Sequence, residues 1–340
     1  MLGEDDLALV HALQVQPRAA WADLAVVLAC TPTTAAHRWE RLTASGATWV
    51  TAVPGPRCSG CVTFVGLHCA PGQREAVAAE LARDAAAVTV EITIGSWDLL
   101  IEVITPDLAA FGAYLLDRIE RLPGVTGTQT FLATTVVTEA SRWRLGALDS
   151  GQSSALARNP GTEHPTRPSA RHLSTLDRQL LAALGHDGRQ SWQRLAELLG
   201  TSAATARRRT ERLLATGEAA LRCDVSAPLF GRPLTASLWG RVPAAELPGV
   251  ARSLATVPGM RFVASIAGAY NLLCTVWLSS AEEIQRLEDE LAQRHPALTV
   301  LDRTIAFRSV KRMGRLLSPD GRGTGFVPMG PWTTGGGAPG

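Results

Sequence analysis

The chain has 340 residues, of which 46% are hydrophobic and 19% charged. That composition is globular rather than disordered, and at roughly 100–200 residues per domain it allows two large or four small domains. The net charge is only +2, so no bulk basicity points to nucleic acid and any such face has to be local.

Lys311 is the single lysine. In a chain rich in Ala, Gly and Pro this reads as GC-rich codon usage, so the number of arginines alone says little about phosphate binding. The opening Met1-Leu2-Gly3-Glu4-Asp5-Asp6 is acidic and does not have the form of a secretory signal. No apolar run reaches the length of about 18 residues that spans a membrane. The expectation is a cytoplasmic protein with mostly reduced cysteines.

Residues 1–53 read as three short helices. Leu9, Val10 and Leu13 make one apolar face, Leu24, Ala25 and Leu28 the next, and Trp39 and Leu42 the third. Thr31-Pro32 is an N-cap followed by proline at the first helical position, and Gly46 stops the third helix. The few residues between the second and third helices give helix-turn-helix spacing.

Residues 58–139 read as strand, helix, two strands around a tight turn, helix and strand. The order is βαββαβ, the ferredoxin-like arrangement. Its helix-free sheet face needs cover from a partner sheet, in the same chain or another. Residues 140–172 have linker composition, with Asp149-Ser150-Gly151-Gln152-Ser153-Ser154 and Pro160, Pro165 and Pro168.

The pattern then begins again. When Asp6 is set against Asp177, Leu9 meets Leu180, Arg18 meets Arg189, Trp21 meets Trp192 and Leu24-Ala25 meets Leu195-Ala196. Further on, Arg38 meets Arg209 and Glu40-Arg41-Leu42 meets Glu211-Arg212-Leu213. Residues 173–225 are thus a second helix-turn-helix domain and 232–313 a second ferredoxin-like domain. There Gly95 meets Gly268, Leu99-Leu100 meets Leu272-Leu273 and Pro123 meets Pro296. Residues 318–340, rich in Gly and Pro, read as a disordered tail. The fold class is α+β: two winged helix-turn-helix domains, each followed by a ferredoxin-like domain.

A recognition helix would offer Thr33, Thr34, His37, Arg38 and Arg41 in the first copy. The second would offer Ser202, Thr205, Arg207, Arg208, Arg209 and Arg212. Residues near the helix start meet base edges, and arginines further along pair with phosphates. Residues 1–53 carry Arg18, Arg38 and Arg41 against Glu4, Asp5, Asp6, Asp23 and Glu40, whereas residues 173–224 carry eight arginines against six acids. The second copy is therefore expected to bind DNA more strongly. Trp21 and Trp192 read as packing residues rather than base-stacking ones.

This order resembles the Lrp/AsnC (leucine-responsive and asparagine-type) regulators. The resemblance rests on Asp177, Leu180-Leu181, Leu184, Arg189, Leu195-Ala196, Ser202, Thr205, Arg209, Arg212-Leu213 and Gly217, and on Leu122-Pro123-Gly124-Val125. It rests also on the turns Gly95-Ser96-Trp97-Asp98 and Gly268-Ala269-Tyr270-Asn271. It covers about 310 residues, and a fused pair of units looks like one family dimer. It implies double-stranded DNA as a partner, self-assembly into a homo-oligomer, and a small-molecule effector such as an amino acid. The effector would bind around Gly95, Ser96, Trp97, Asp98, Gly268, Ala269, Tyr270 and Asn271. Asp98 could hold an ammonium group; Asn271 cannot, so the two sites should differ. The alternative reading is that these turns require glycine for their backbone geometry alone.

Cys58-Ser59-Gly60-Cys61 with His68-Cys69 allows a metal site to be imagined. Cys61 and Cys69 share one face of a strand, however, so structural cysteine is the reading preferred and neither metal nor cofactor is expected. No Ser-His-Asp, HExxH or phosphate-loop pattern occurs, so the chain is expected not to be an enzyme. Two alternatives stay open. Siroheme-decarboxylase-like tetrapyrrole enzymes resemble the same family and work as paired or fused halves, and their chemistry calls for basic and His side chains. A protein-interaction module that has lost DNA binding is the other.

Overall fold

The computed structural model describes residues 2–55, 60–140, 143–157, 173–257 and 259–333. In chain order the first half comprises α1 (Glu4–Val15), α2 (Trp21–Val27), α3 (Pro32–Ala44), β1 (Thr48–Pro54), β2 (Cys61–Cys69), α4 (Arg74–Leu81), β3 (Ala87–Ile94), β4 (Leu99–Thr105), α5 (Leu108–Tyr114) with a π-helical continuation Leu115–Ile119, and β5 (Val125–Thr138). A helix α6 (Ser150–Ala157) precedes the second half: α7 (Thr175–His186), α8 (Trp192–Leu199), α9 (Ala203–Ala215), β6 (Ala219–Val225), β7 (Leu234–Arg241), α10 (Leu247–Leu254), β8 (Met260–Ala267), β9 (Leu272–Leu278), α11 (Glu282–Arg294), β10 (Thr299–Arg312), β11 (Arg315–Leu317) and β12 (Gly323–Phe326). The chain divides into two compact units, residues 61–143 with 227–321 and residues 2–60 with 144–226 and 322–340.

The first unit holds both ferredoxin-like domains. Each sheet has the order fourth, first, third, second strand: β5-β2-β4-β3 in one and β10-β7-β9-β8 in the other. The fourth strand of each pairs antiparallel with the second strand of the other, β5 with β8 and β10 with β3. Eight strands therefore close on themselves and leave no free edge among them. Alternation sorts the side chains. Val65, Leu67, Leu99, Ile101 and Val103 pack under α4 and α5 with Val77, Leu81 and Phe111. Leu238, Leu272, Cys274 and Val276 do the same under α10 and α11 with Leu254 and Leu291. The opposite faces meet each other, as where Phe64 and Phe262 pack edge to face at 5.2 Å. The cover the sequence asked for thus comes from the same chain.

The second unit holds both helix-turn-helix domains. Thr31 caps α3 as read, accepting from the Thr34 amide, and Ser202 accepts from the Thr205 amide before α9. Leu9, Leu13, Leu24 and Leu42 fill the first small core, and Leu180, Leu184, Leu195 and Leu213 the second. The strand after each third helix finds its partner in the other copy, β1 antiparallel to β6 over Thr48–Pro54.

Two expectations are corrected. Residues 143–157 do not hang as a linker. The Leu145 amide donates to Gln14, the Leu148 amide to His11 Nδ1, and Gln152 donates to the Val27 carbonyl, while Leu156 is buried. The tail expected to be disordered from residue 318 is ordered to 333, with Met329 and Trp332 buried. Its glycines and prolines disguised a few large apolar side chains that have somewhere to pack. Residues 141–142, 158–172 and 334–340, the rest of both segments, lie outside the described residues.

Candidate functional site

The two turns expected to bind ligand converge. Gly95 and Gly268 both take strongly positive φ, +125° and +139°, so the turn itself accounts for both glycines. Ser96 Oγ lies 2.5 Å from Asp302 Oδ2, and the Tyr270 hydroxyl donates to the same oxygen at 3.2 Å. Asp302 on β10 therefore joins the turn of one half to the turn of the other. Trp97 is buried against Phe131 and Trp239, and its indole N–H donates to Gln129 at 3.1 Å. Tyr270 packs on Phe131 and Trp239 as well. Gly66 makes this possible: a Cβ there would stand 2.4 Å from the Trp97 ring.

Asp98 is not free to hold an ammonium group. Its carboxylate accepts from the Cys69 amide at 2.8 Å and is ion-paired with Arg74. Burial pulls against ionisation there, but the Cys69 N–H and the Arg74 guanidinium together hold Asp98 below the usual carboxylate range. Asn271, its counterpart, uses both ends of its amide on the Val242 backbone. The Ala269 carbonyl accepts from Arg241 at 2.8 Å. Basic groups thus stand beside both turns, His68 and Arg74 at the first and Arg241 at the second.

The recognition helices carry their cations differently from the sequence reading. Arg38 pairs with Asp5 at 2.8 Å and approaches Asp6 at 3.6 Å, and Arg41 pairs with Asp6 at 2.5 Å. In the second copy Arg209 and Arg212 both reach Asp177 at 2.9 Å. Asp177 is buried and also closes the capping box with Ser174, and these partners outweigh burial to keep its pKa low. Arg207 pairs with Glu211 and His37 faces Glu40. Thr33 is exposed, while Thr34, Ser202 and Thr205 are occupied at the helix starts. Arg208 is exposed and forms no ion pair among the described residues.

Several groups escaped the sequence reading. Arg18 stacks 3.8 Å over Trp192 and donates to the Gly188 and Gln190 carbonyls; Arg189 stacks 4.1 Å over Trp21 and donates to those of Pro17 and Ala19. The two tryptophans are therefore half-buried seats for the other copy's arginine, which the alignment of Arg18 with Arg189 could have suggested. Lys311, the single lysine, is fully buried and donates to the Asp84 carbonyl. Glu91 is buried beside it on the partner strand, and burial raises its pKa against the opposing pull of Arg312 and Ser309.

Of the cysteine motif, Cys58 and Ser59 lie outside the described residues, while Cys61 is buried in the helix-side core. Among the described residues no group of three or more His, Cys, Asp or Glu could hold a metal ion. Nor is any helix among them long and apolar enough to cross a membrane.

Family comparison agrees with this architecture. The AsnC-type helix-turn-helix domain matches at residues 2–43 and 173–214, and the Lrp/AsnC ligand binding domain at residues 62–143. The chain belongs to the Lrp/AsnC family, in a tandem form. No curated protein sequence matches it. Among solved structures it is similar to the siroheme decarboxylase NirDL, with 14% identity, 91% of this chain and 93% of that one covered, and a TM-score of 0.59. The same enzyme in complex with an iron-uroporphyrin III analogue aligns at 15% identity, the same coverage and the same TM-score. The transcriptional regulator NMB0573 of Neisseria meningitidis, solved with L-Met, aligns over 40% of this chain and 91% of its own, at 21% identity and a TM-score of 0.37. The fold spanning nine-tenths of the chain is thus one that an enzyme uses, and the expectation that the chain is not an enzyme does not stand. That expectation relied on missing Ser-His-Asp, HExxH and phosphate-loop patterns, which say nothing about a decarboxylase, and on the few histidines of the ferredoxin-like domains, His68 and His295.

Proposed function

We propose that the chain is an enzyme acting on a carboxylate-rich tetrapyrrole, in the manner of a siroheme decarboxylase. The observation that carries this reading is the set of basic groups beside the converging turns: His68 and Arg74 at one, Arg241 at the other. Guanidinium groups recognise carboxylates with paired N–H donors, so a macrocycle bearing several acid side chains suits such a site. Decarboxylation breaks the bond between a side-chain carbon and its carboxylate, releases CO2, and delivers a proton to that carbon. The Tyr270 hydroxyl beside Asp302 would deliver its proton to that carbon and regain one from water; burial and Asp302 make it a weak acid, which suits only a strongly basic, carbanion-like acceptor. The likeness to NirDL over the whole tandem order supports the reaction type.

A DNA-binding regulator is the second reading, favoured by the exposed Arg208. Arg38, Arg41, Arg209 and Arg212 are paired with acids of their own domains, as Arg74 is with Asp98, so on either reading the ligand has to displace a carboxylate from its arginine.

The test is an anaerobic titration of the purified protein with siroheme, followed by absorbance, for the wild type and for Arg74→Ala and Arg241→Ala. Saturable binding weakened at least about tenfold by either substitution, the loss of one carboxylate contact, supports the proposal. No spectral change, with tight salt-dependent binding of a DNA duplex instead, would refute it.

A further inference from the structure

We infer that residues 322–333 form a clasp that holds the two helix-turn-helix domains together, seated in a notch that Gly185 opens in α7. The inference is independent of the proposed enzymatic reading.

Glycine inside a helix is less favourable than alanine, because it gives up more backbone freedom on folding. Gly185 nevertheless lies within α7, next to its last residue. The reason is on its surface: a Cβ at Gly185 would stand 2.4 Å from Phe326 Cζ and 3.2 Å from Trp332 Cζ3. Both rings rest where the missing side chain would be. Phe326 also meets the His186 ring edge on, and Met329 and Trp332 are buried.

The other end of the same segment is seated in the first domain. The Arg322 guanidinium donates to the Ser45 carbonyl at 2.8 Å, and the Gly323 amide donates to the Gly46 carbonyl at 2.8 Å. A Cβ at Gly46 would stand 2.4 Å from the Gly323 carbonyl oxygen, so this end too is closely fitted. One stretch of chain therefore grips the end of α3 in the first domain and the end of α7 in the second. The first copy shows the contrast. Gln14 stands at the position of Gly185 in the repeat, and its side chain instead accepts from Leu145 of the segment lying on α1. The clasp, with the β1–β6 pairing and the reciprocal Arg–Trp stacks, fixes the separation of α3 and α9 at one value.

The test is Gly185→Ala in the full chain, read by amide hydrogen exchange and thermal unfolding, with Phe326→Ala and the double variant beside it. Alanine should stabilise an ordinary helix. Here it should lower the unfolding midpoint, and Phe326→Ala should remove most of that loss. Exchange of the Trp332 amide and of the distant Gly323 amide should quicken at least about tenfold, the mark of local opening, while barrel amides stay unchanged. A raised midpoint with unchanged exchange overturns the inference. Faster exchange at Trp332 with Gly323 unaffected also overturns it, because the two ends would then be independent.

Discussion

Replacing Lys311 with methionine isolates the cost of one buried charge in the barrel. The ammonium is fully buried with one carbonyl acceptor, and burial lowers its pKa from 10.5 to about 7, with Asp84 opposing. Between those values the unfolded chain binds a proton that the folded one does not. Stability must therefore rise with pH from about 7 to about 10.5, by about 1.4 kcal/mol per unit, and level off below 7 where both states are protonated. Over the full window this amounts to roughly 4–5 kcal/mol. Methionine keeps the length and removes the charge, at a pH-independent cost of about 1–3 kcal/mol for the Asp84 carbonyl left without its donor. The assay is urea unfolding of wild type and Lys311→Met at several values between pH 6 and 10. The wild type should gain on the variant as pH rises, and the variant should be the more stable at pH 6. A difference independent of pH would refute the reasoning.

Arg18→Ala should destabilise the paired helix-turn-helix unit by about 2–3 kcal/mol, since two carbonyls lose a charged donor and Trp192 loses its cation. Thermal unfolding measures this, and Arg18→Lys should not restore it because lysine cannot reach both carbonyls in the plane of the ring. Gly66→Ala should displace Trp97 and destabilise the barrel by about 1–3 kcal/mol, as overpacking does, with a shift in tryptophan emission. Asp177→Asn should release Arg209, while Arg212 keeps Glu218, and steepen the salt dependence of any DNA binding by up to about one unit of slope, read by fluorescence anisotropy. The same variant should lose the acid sensitivity that Asp177 confers. Its pKa is depressed in the folded state, so its contribution is present above the unfolded value near 3.9 and disappears as pH falls through the folded one.

Much of this architecture can be read directly from periodicity. The apolar spacing around Leu9, Leu24 and Leu42 and the alternation through β2, β4, β7 and β9 required little beyond local chemistry, because each element buries one face. The repeat carried the pairing as well, since two matched halves can cover each other's sheets. Other features lay beyond pattern. Nothing local distinguishes an arginine that meets a phosphate from one that meets Asp177 more than thirty residues away. Asp98 looked available until Arg74 and the Cys69 amide occupied it. The segment 322–333 looked disordered by composition because the notch that receives it lies in a helix far off in sequence. Asp302 sits in an ordinary strand, and only the closure of β10 against β3 brings it to Ser96 of the other half.

The central claim is tested most directly by incubating the purified chain with siroheme without oxygen and weighing the tetrapyrrole afterwards. The account predicts a product lighter by the mass of one or more CO2, formed by the wild type and at a rate reduced at least about tenfold by Tyr270→Phe, as expected for loss of a proton donor. Unchanged siroheme, from protein shown to be folded, would contradict it and leave the DNA-binding reading in its place.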